Sequence, residues 1–234
     1  MVISVFISHI LGDYVLQWDA LARWKSESPK GVLVHGLIVF GVTGLLSLPF
    51  DPNWWPYVLG IGLSHLAIDM GKTVLIGPVR PLVGLGLFLL DQAAHLLIIT
   101  AALVHSGYLV LESVVVAASP AVQDARPWVF ALGYLLITMP AWVTTRLVVR
   151  GLVVGSGTDN VQWGNKYVGI LERSLITTFV VLGQFALVPL VTAPRLIFEG
   201  PQVRQNGGCS GYVAELLISV GLAIVVGLVL RQVG

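Results

Sequence analysis

An all-α bundle of about seven membrane-spanning helices is the fold class that this sequence predicts, and three observations predict it. The 234 residues are 56% hydrophobic and 11% charged, with a mean hydropathy of +0.89. Soluble domains carry about 25% charged residues. The apolar residues fall in runs that match the ~20 residues a helix needs to cross a bilayer. The Lys and Arg residues gather on one side of those runs.

The spans are justified in order. Val2–Ala22 has no Lys or Arg before it, so it lacks the basic start of a cleaved signal peptide and reads as a retained span. Val32–Leu48, Pro56–Ile76 and Leu82–Val104 follow as strongly apolar runs. Tyr108–Ala118 is apolar but short, which fits an interfacial or re-entrant segment. Trp128–Val149, Val168–Ala193 and Tyr212–Arg231 complete the set. Trp18, Trp24, Trp54, Trp55, Trp128 and Trp163 stand at or near span ends, where amphipathic rings favour the interface.

Charge sets the orientation. With the N-terminus outside, Arg23, Lys25, Lys30, Lys72, Arg80, Arg146, Arg150, Lys166, Arg173 and Arg231 are cytoplasmic, and Arg126, Arg195 and Arg204 are external. Ten against three is a positive-inside bias, predicting N-out and C-in. An eighth span at 108–118 would move five of the ten outside and erase it. Organisation follows: one membrane domain over 1–234, with a four-helix polar half at 1–105, an external loop at 106–127 and a three-helix half at 128–234. The loop from Gly155 to Asn160 has no strand before it and reads as a flexible linker, not a phosphate cradle. A net charge of +1 suggests no nucleic-acid partner, and the single Cys209 excludes an internal disulfide.

Chemistry resides in three patterns: His9-x-x-x-Asp13, His65-x-x-x-Asp69 and Asp91-x-x-x-His95. Four-residue spacing puts both members on one helix face, about one turn apart. The third pattern is reversed, and so is its span. All three His therefore fall near the midplane, with all three Asp one turn toward the cytoplasm. Buried carboxylates need a cation or protons. His nitrogen with carboxylate oxygen suits a divalent transition metal such as Zn, Mn or Fe. His9, Asp13, His65, Asp69, Asp91 and His95 are the expected ligands. Gln17, His35, Lys72, Gln92, Glu172 and Arg173 are expected around them or toward a substrate. Glu215 opens the last span, where an acidic group is favourable through the helix dipole.

The ordered set His9-Ile-Leu-Gly-Asp13-Tyr-Val-Leu-Gln17, His35, His65-Leu-Ala-Ile-Asp69-Met-Gly-Lys72 and Asp91-Gln92-Ala-Ala-His95 resembles the bacterial membrane family known as domain of unknown function 3307. Gly169-Ile-Leu-Glu172-Arg173, Gly183-Gln184 and Ala214-Glu215 resemble its longer members, while Ala193-Pro194-Arg195 stands where the family carries a Lys-bearing segment. The resemblance implies a shared fold and polar site without naming a chemistry.

Several functions fit these residues. The first is a metal-dependent hydrolase of lipid-like substrates in a bacterial-type inner membrane, its site open to the cytoplasm and membrane lipids its partners. The second is a metal-ion or proton-coupled transporter. The third is a structural His/Asp network. An Asp one turn from each His suits a small cation better than haem. A retinal protein needs a mid-span Lys, which none of the spans provides.

Overall fold

A computed structural model describes residues 1–75, 79–109, 125–154, 165–205 and 209–234. These residues form ten α-helices joined by short π and 3₁₀ turns, with no strand among them. The helices are α1 (Val2–Ile10), α2 (Asp19–Glu27), α3 (Pro29–Ser47), α4 (Trp55–Leu75), α5 (Pro81–His105), α6 (Arg126–Leu136), α7 (Met139–Val148), α8 (Lys166–Val181), α9 (Val188–Gln205) and α10 (Cys209–Val233). Five stretches among the described residues are long and apolar enough to cross a membrane: Pro29–Ser47, Pro52–Leu75, Pro81–His105, Arg126–Val153 and Ser210–Val233. The short apolar segment beyond Leu109, the linker at 155–160 and Trp163 lie outside the described residues.

The chain forms two compact units, residues 1–79 with 87–128 and residues 80–86 with 129–234. In the first unit, the expected span Val2–Ala22 is interrupted. Helix α1 continues through a π turn, Leu11–Val15, and stops at Leu16. Trp18 is extended and Asp19 opens α2, where a carboxylate favours the helix N-terminus. The segment after Leu16 is therefore a separate amphipathic helix with Trp18 and Trp24 exposed. Ser28 caps α3 by accepting from the Lys30 amide, and Pro29 starts it. Asp51 accepts from the Asn53 amide in the 3₁₀ turn leading into α4. The Tyr108 hydroxyl donates to Asp51 Oδ2 at 2.9 Å, tying the end of α5 to that turn, and the bond raises the phenol pKa by holding its proton.

Glycines let these helices approach closely. A Cβ on Gly12 would sit 2.8 Å from Val39 Cγ2, and one on Gly62 would sit 2.8 Å from Phe40 Cδ2. Packing of this kind holds membrane helices together where apolar burial alone supplies little drive. The contacts 8↔43 and 12↔39 set α1 antiparallel to α3, and 36↔66 with 40↔62 set α3 antiparallel to α4. Val5, Trp54, Val58, Ile61, Ile99 and Leu103 form an apolar plug near the N-terminal end of α1.

In the second unit, α6 and α7 make one interrupted leg. Pro140 cannot donate and crowds the preceding turn, so the helix breaks at Ile137–Thr138. Arg173 on α8 donates to two carbonyls at the break, Ile137 O at 2.6 Å and Thr138 O at 3.1 Å, the latter also accepting from the Trp142 amide. The expected continuous span Val168–Ala193 also divides. Helix α8 ends at Val181 in a Schellman motif: Gly183 has φ +75, its N–H donates to Val180 O, and Gln184 N–H donates to Phe179 O at 2.7 Å. Helix α9 is a separate return leg. Contacts 173↔219, 177↔223 and 180↔227 climb together, so α8 and α10 run parallel. Alternation of spans 6 and 7 had implied the opposite.

Candidate metal centre

The site lies wholly within the first unit. Helix α1 brings His9 and Asp13, α3 brings His35, α4 brings His65 and Asp69, and α5 brings Asp91 and His95. The reversed third pattern does meet the other two: the His65 and His95 rings lie with centroids 4.3 Å apart at an interplanar angle of 40°, and His9 and His95 lie at 5.5 Å. Every one of these side chains is buried, His35 completely. The π turn carries Asp13, and close approach at Gly12 presses it toward α3.

His35 stands inside the cluster rather than beside it. Its Nε2 is 3.1 Å from Asp13 Oδ1, 3.1 Å from His65 Nε2 and 3.5 Å from Asp69 Oδ2. His65 Nε2 is 3.3 Å from Asp13 Oδ1 and 3.2 Å from Asp69 Oδ2. Five of the separations among these four atoms measure 3.1–3.5 Å. A tetrahedral ion with ligand bonds near 2.0–2.1 Å requires edges of roughly 3.3–3.4 Å. Protons alone satisfy this geometry poorly. Each imidazole nitrogen faces three neighbours within reach, and one N–H can address only one of them. His9 Nδ1 sits 3.6 Å from Asp13 Oδ2, the other oxygen of that carboxylate.

The surrounding polar residues divide into two groups. Gln17 accepts from Lys25 Nζ at 3.2 Å, and Gln92 donates to Asp91 Oδ2 at 3.1 Å. Lys72 pairs with Asp91 Oδ2 at 3.1 Å instead of simply reaching for the interface. Glu172 and Arg173 belong to the other unit and find their partners there. Arg195 joins Glu172, Glu199 and Glu215 at 3.4, 3.0 and 2.9 Å, and Arg173 also bonds Ser219 Oγ. Glu215 is thus a buried ion-pair member, not merely a helix-dipole partner.

Two participants escaped the sequence reading. Lys25 reaches from α2 to within 2.7 Å of Asp69 Oδ2. Tyr14, one residue past Asp13, donates to Gln92 Oε1 at 2.8 Å. The signal for Lys25 was the charge balance itself, since three clustered carboxylates demanded a cation. A cavity of about 10 Å³, the size of one water, borders the His layer on the side away from the lysines. His9, His65, His95, Ser8 and Thr43 line its polar part.

Comparison with known families returns one result on this half of the chain. A family described as protein of unknown function, DUF3307, matches residues 1–122, which include every residue of the cluster. No curated protein and no solved structure matches. The match covers more than half of the 234 residues, and the ordered His and Asp motifs had pointed to the same place. The chain belongs to the DUF3307 family.

Proposed function

We propose that this chain is an integral membrane protein of the bacterial inner-membrane type that binds a divalent transition metal, Zn, Mn or Fe, through Asp13, His35, His65 and Asp69. The chemistry we assign to it is hydrolysis of a lipid-like substrate. The observation that carries the metal reading is the 3.1–3.5 Å spacing among the donor atoms of these four buried residues. When bound, such an ion polarises a carbonyl or phosphoryl oxygen and lowers the pKa of its water. The water-sized cavity beside His9, His65 and His95 gives that water a place. Lys72, partly exposed beside Asp91, suits an anionic headgroup.

We place the N-terminus outside, so that Gln17, Lys25 and Lys72 face the cytoplasm. Helix α9, with Leu190, Leu196, Ile197 and Phe198 exposed, counts as a crossing of its own. Short α1 and α8 cross beside longer neighbours. This adds one leg to the seven expected and puts the C-terminus outside.

A second reading rests on Lys25. Its ammonium against Asp69, with Lys72 against Asp91, offsets two carboxylates and makes the cluster an ionic lock without a metal. Elemental analysis of detergent-purified protein, without added metal, separates the two. The expected result is near-stoichiometric Zn, Mn or Fe in the wild type and none in a His35→Ala variant that elutes as the wild type does. Absence of metal from the wild type, even after reconstitution, sinks the metal reading and leaves the lock. Hydrolysis is then tested by metal-dependent product release from labelled phospholipid in mixed micelles.

A further inference from the structure

The four-donor centre leaves buried donor atoms over. His95 is 3% exposed, yet neither ring nitrogen has a hydrogen-bond partner among the described residues. Asp91 Oδ1 is buried without a partner, because Lys72 and Gln92 both take Oδ2. Asp69 Oδ1 is likewise buried and unpartnered, while its Oδ2 faces His35, His65 and Lys25. Donor atoms of Asp69, Asp91 and His95 lie within 4.8 Å of one another. Buried polar atoms without partners are costly, and an imidazole orphaned at both nitrogens is the most conspicuous.

We infer that Asp69, Asp91 and His95 hold a second divalent ion, with the Asp69 carboxylate bridging it to the four-donor centre. This rests on the metal reading above and extends it from one ion to two. The fit is chemical as well as geometric. One imidazole and two carboxylates form an open, oxygen-rich donor set that suits Mn²⁺ or Fe²⁺ and leaves positions for water. A carboxylate with one oxygen on each ion is how paired sites keep their metals about 3.5–4 Å apart. Lys72 on Asp91 Oδ2 holds that carboxylate in place without occupying the oxygen the ion would use. The centre then spans α1, α3, α4 and α5, with α4 shared by both ions.

The test strips the purified full chain with chelator, reloads it with Mn²⁺ alone, removes excess ion and measures bound metal and the electron paramagnetic resonance spectrum. The expected result is two equivalents with an exchange-coupled signal in the wild type. His95→Ala is expected to retain one equivalent with an uncoupled six-line signal. One uncoupled equivalent in the wild type overturns the second ion and leaves the four-donor centre standing. No bound Mn²⁺ in the wild type overturns the second ion, and failure of Zn²⁺ reloading as well overturns both. Two equivalents retained in His95→Ala overturn the assignment of His95. Should that variant fail to elute as a folded species, Asp91→Asn replaces it, and the wild-type stoichiometry is decisive without either.

Discussion

At the scale of single residues, Lys25 and a metal ion contend for the same atom. The ammonium lies 2.7 Å from Asp69 Oδ2, and that oxygen also lies 3.5 Å from His35 Nε2 and 3.2 Å from His65 Nε2. Two cations on one buried oxygen repel strongly where water cannot screen them. Lys25 is therefore expected to lower metal affinity in the wild type and to swing toward Gln17 on loading. Replacing it with Met keeps the side-chain length and removes the charge. Lys25→Met is expected to bind Zn²⁺ at least ~10-fold tighter, about 1.4 kcal/mol, in a chelator competition assay. Unchanged or weaker binding in a folded variant would mean that Lys25 completes the site instead of competing for it. The sequence exposes the His and Asp pairs because residues four apart share a helix face wherever the helix runs. His35 has no carboxylate one turn away, and its depth depends on α3 starting at Pro29. Lys25 was hidden for a stronger reason. Its reach to Asp69 exists only because the chain turns after Leu16, and that turn is a tertiary event.

Elements set the distances that residues use. Helix α1 would carry Asp13 past α3 were it not for two local features. The π turn adds a residue to the last turn of the helix, a device common at functional sites, and Gly12 removes the side chain that would hold the helices apart. A methyl on Gly12 would sit 2.8 Å from Val39 Cγ2 and 3.2 Å from Val39 Cα, so a rotamer change of Val39 cannot clear it. Gly12→Ala is expected to cost about 1–3 kcal/mol of stability and to lower metal occupancy by displacing Asp13 from His35. Thermal melting with metal analysis checks this. A variant with wild-type melting and full occupancy would show that the approach at Gly12 is not what positions Asp13. Helix identity was legible in apolar runs of the right length, as Pro29–Ser47 and Pro81–His105 show. Helix ends inside an apolar run were not. Hydropathy continues from Val181 through Val191, so it conceals the stop at Gly183, although a glycine after a periodic segment is the usual C-terminal signal.

For the whole molecule, the consequence is topology. Residues 173, 177 and 180 of α8 meet 219, 223 and 227 of α10 in rising order, so both helices start at the same end of the second unit. Arg195 on α9 meets Glu172 and Glu215 near those starting ends, as a return leg must. If α6 enters from outside, α8 leaves, α9 re-enters and α10 leaves again. Charge supports this independently. Arg195 and Arg204 move to the cytoplasmic side and Arg231 moves out, so ten against three becomes eleven against two. The positive-inside bias sharpens when α9 is counted as a crossing of its own. Cys209, the single cysteine, opens α10 and provides the test. With intact cells and an impermeant maleimide, Cys209 is expected to stay unlabelled until the membrane is opened. A Gly234→Cys substitution in a Cys209→Ser background is expected to label at once. The opposite pair of results would put the C-terminus in the cytoplasm and overturn this assignment of the last legs. Either way, α8 and α10 must remain parallel, so seven crossings would leave one of those two helices, or a neighbouring leg, short of the far side of the membrane.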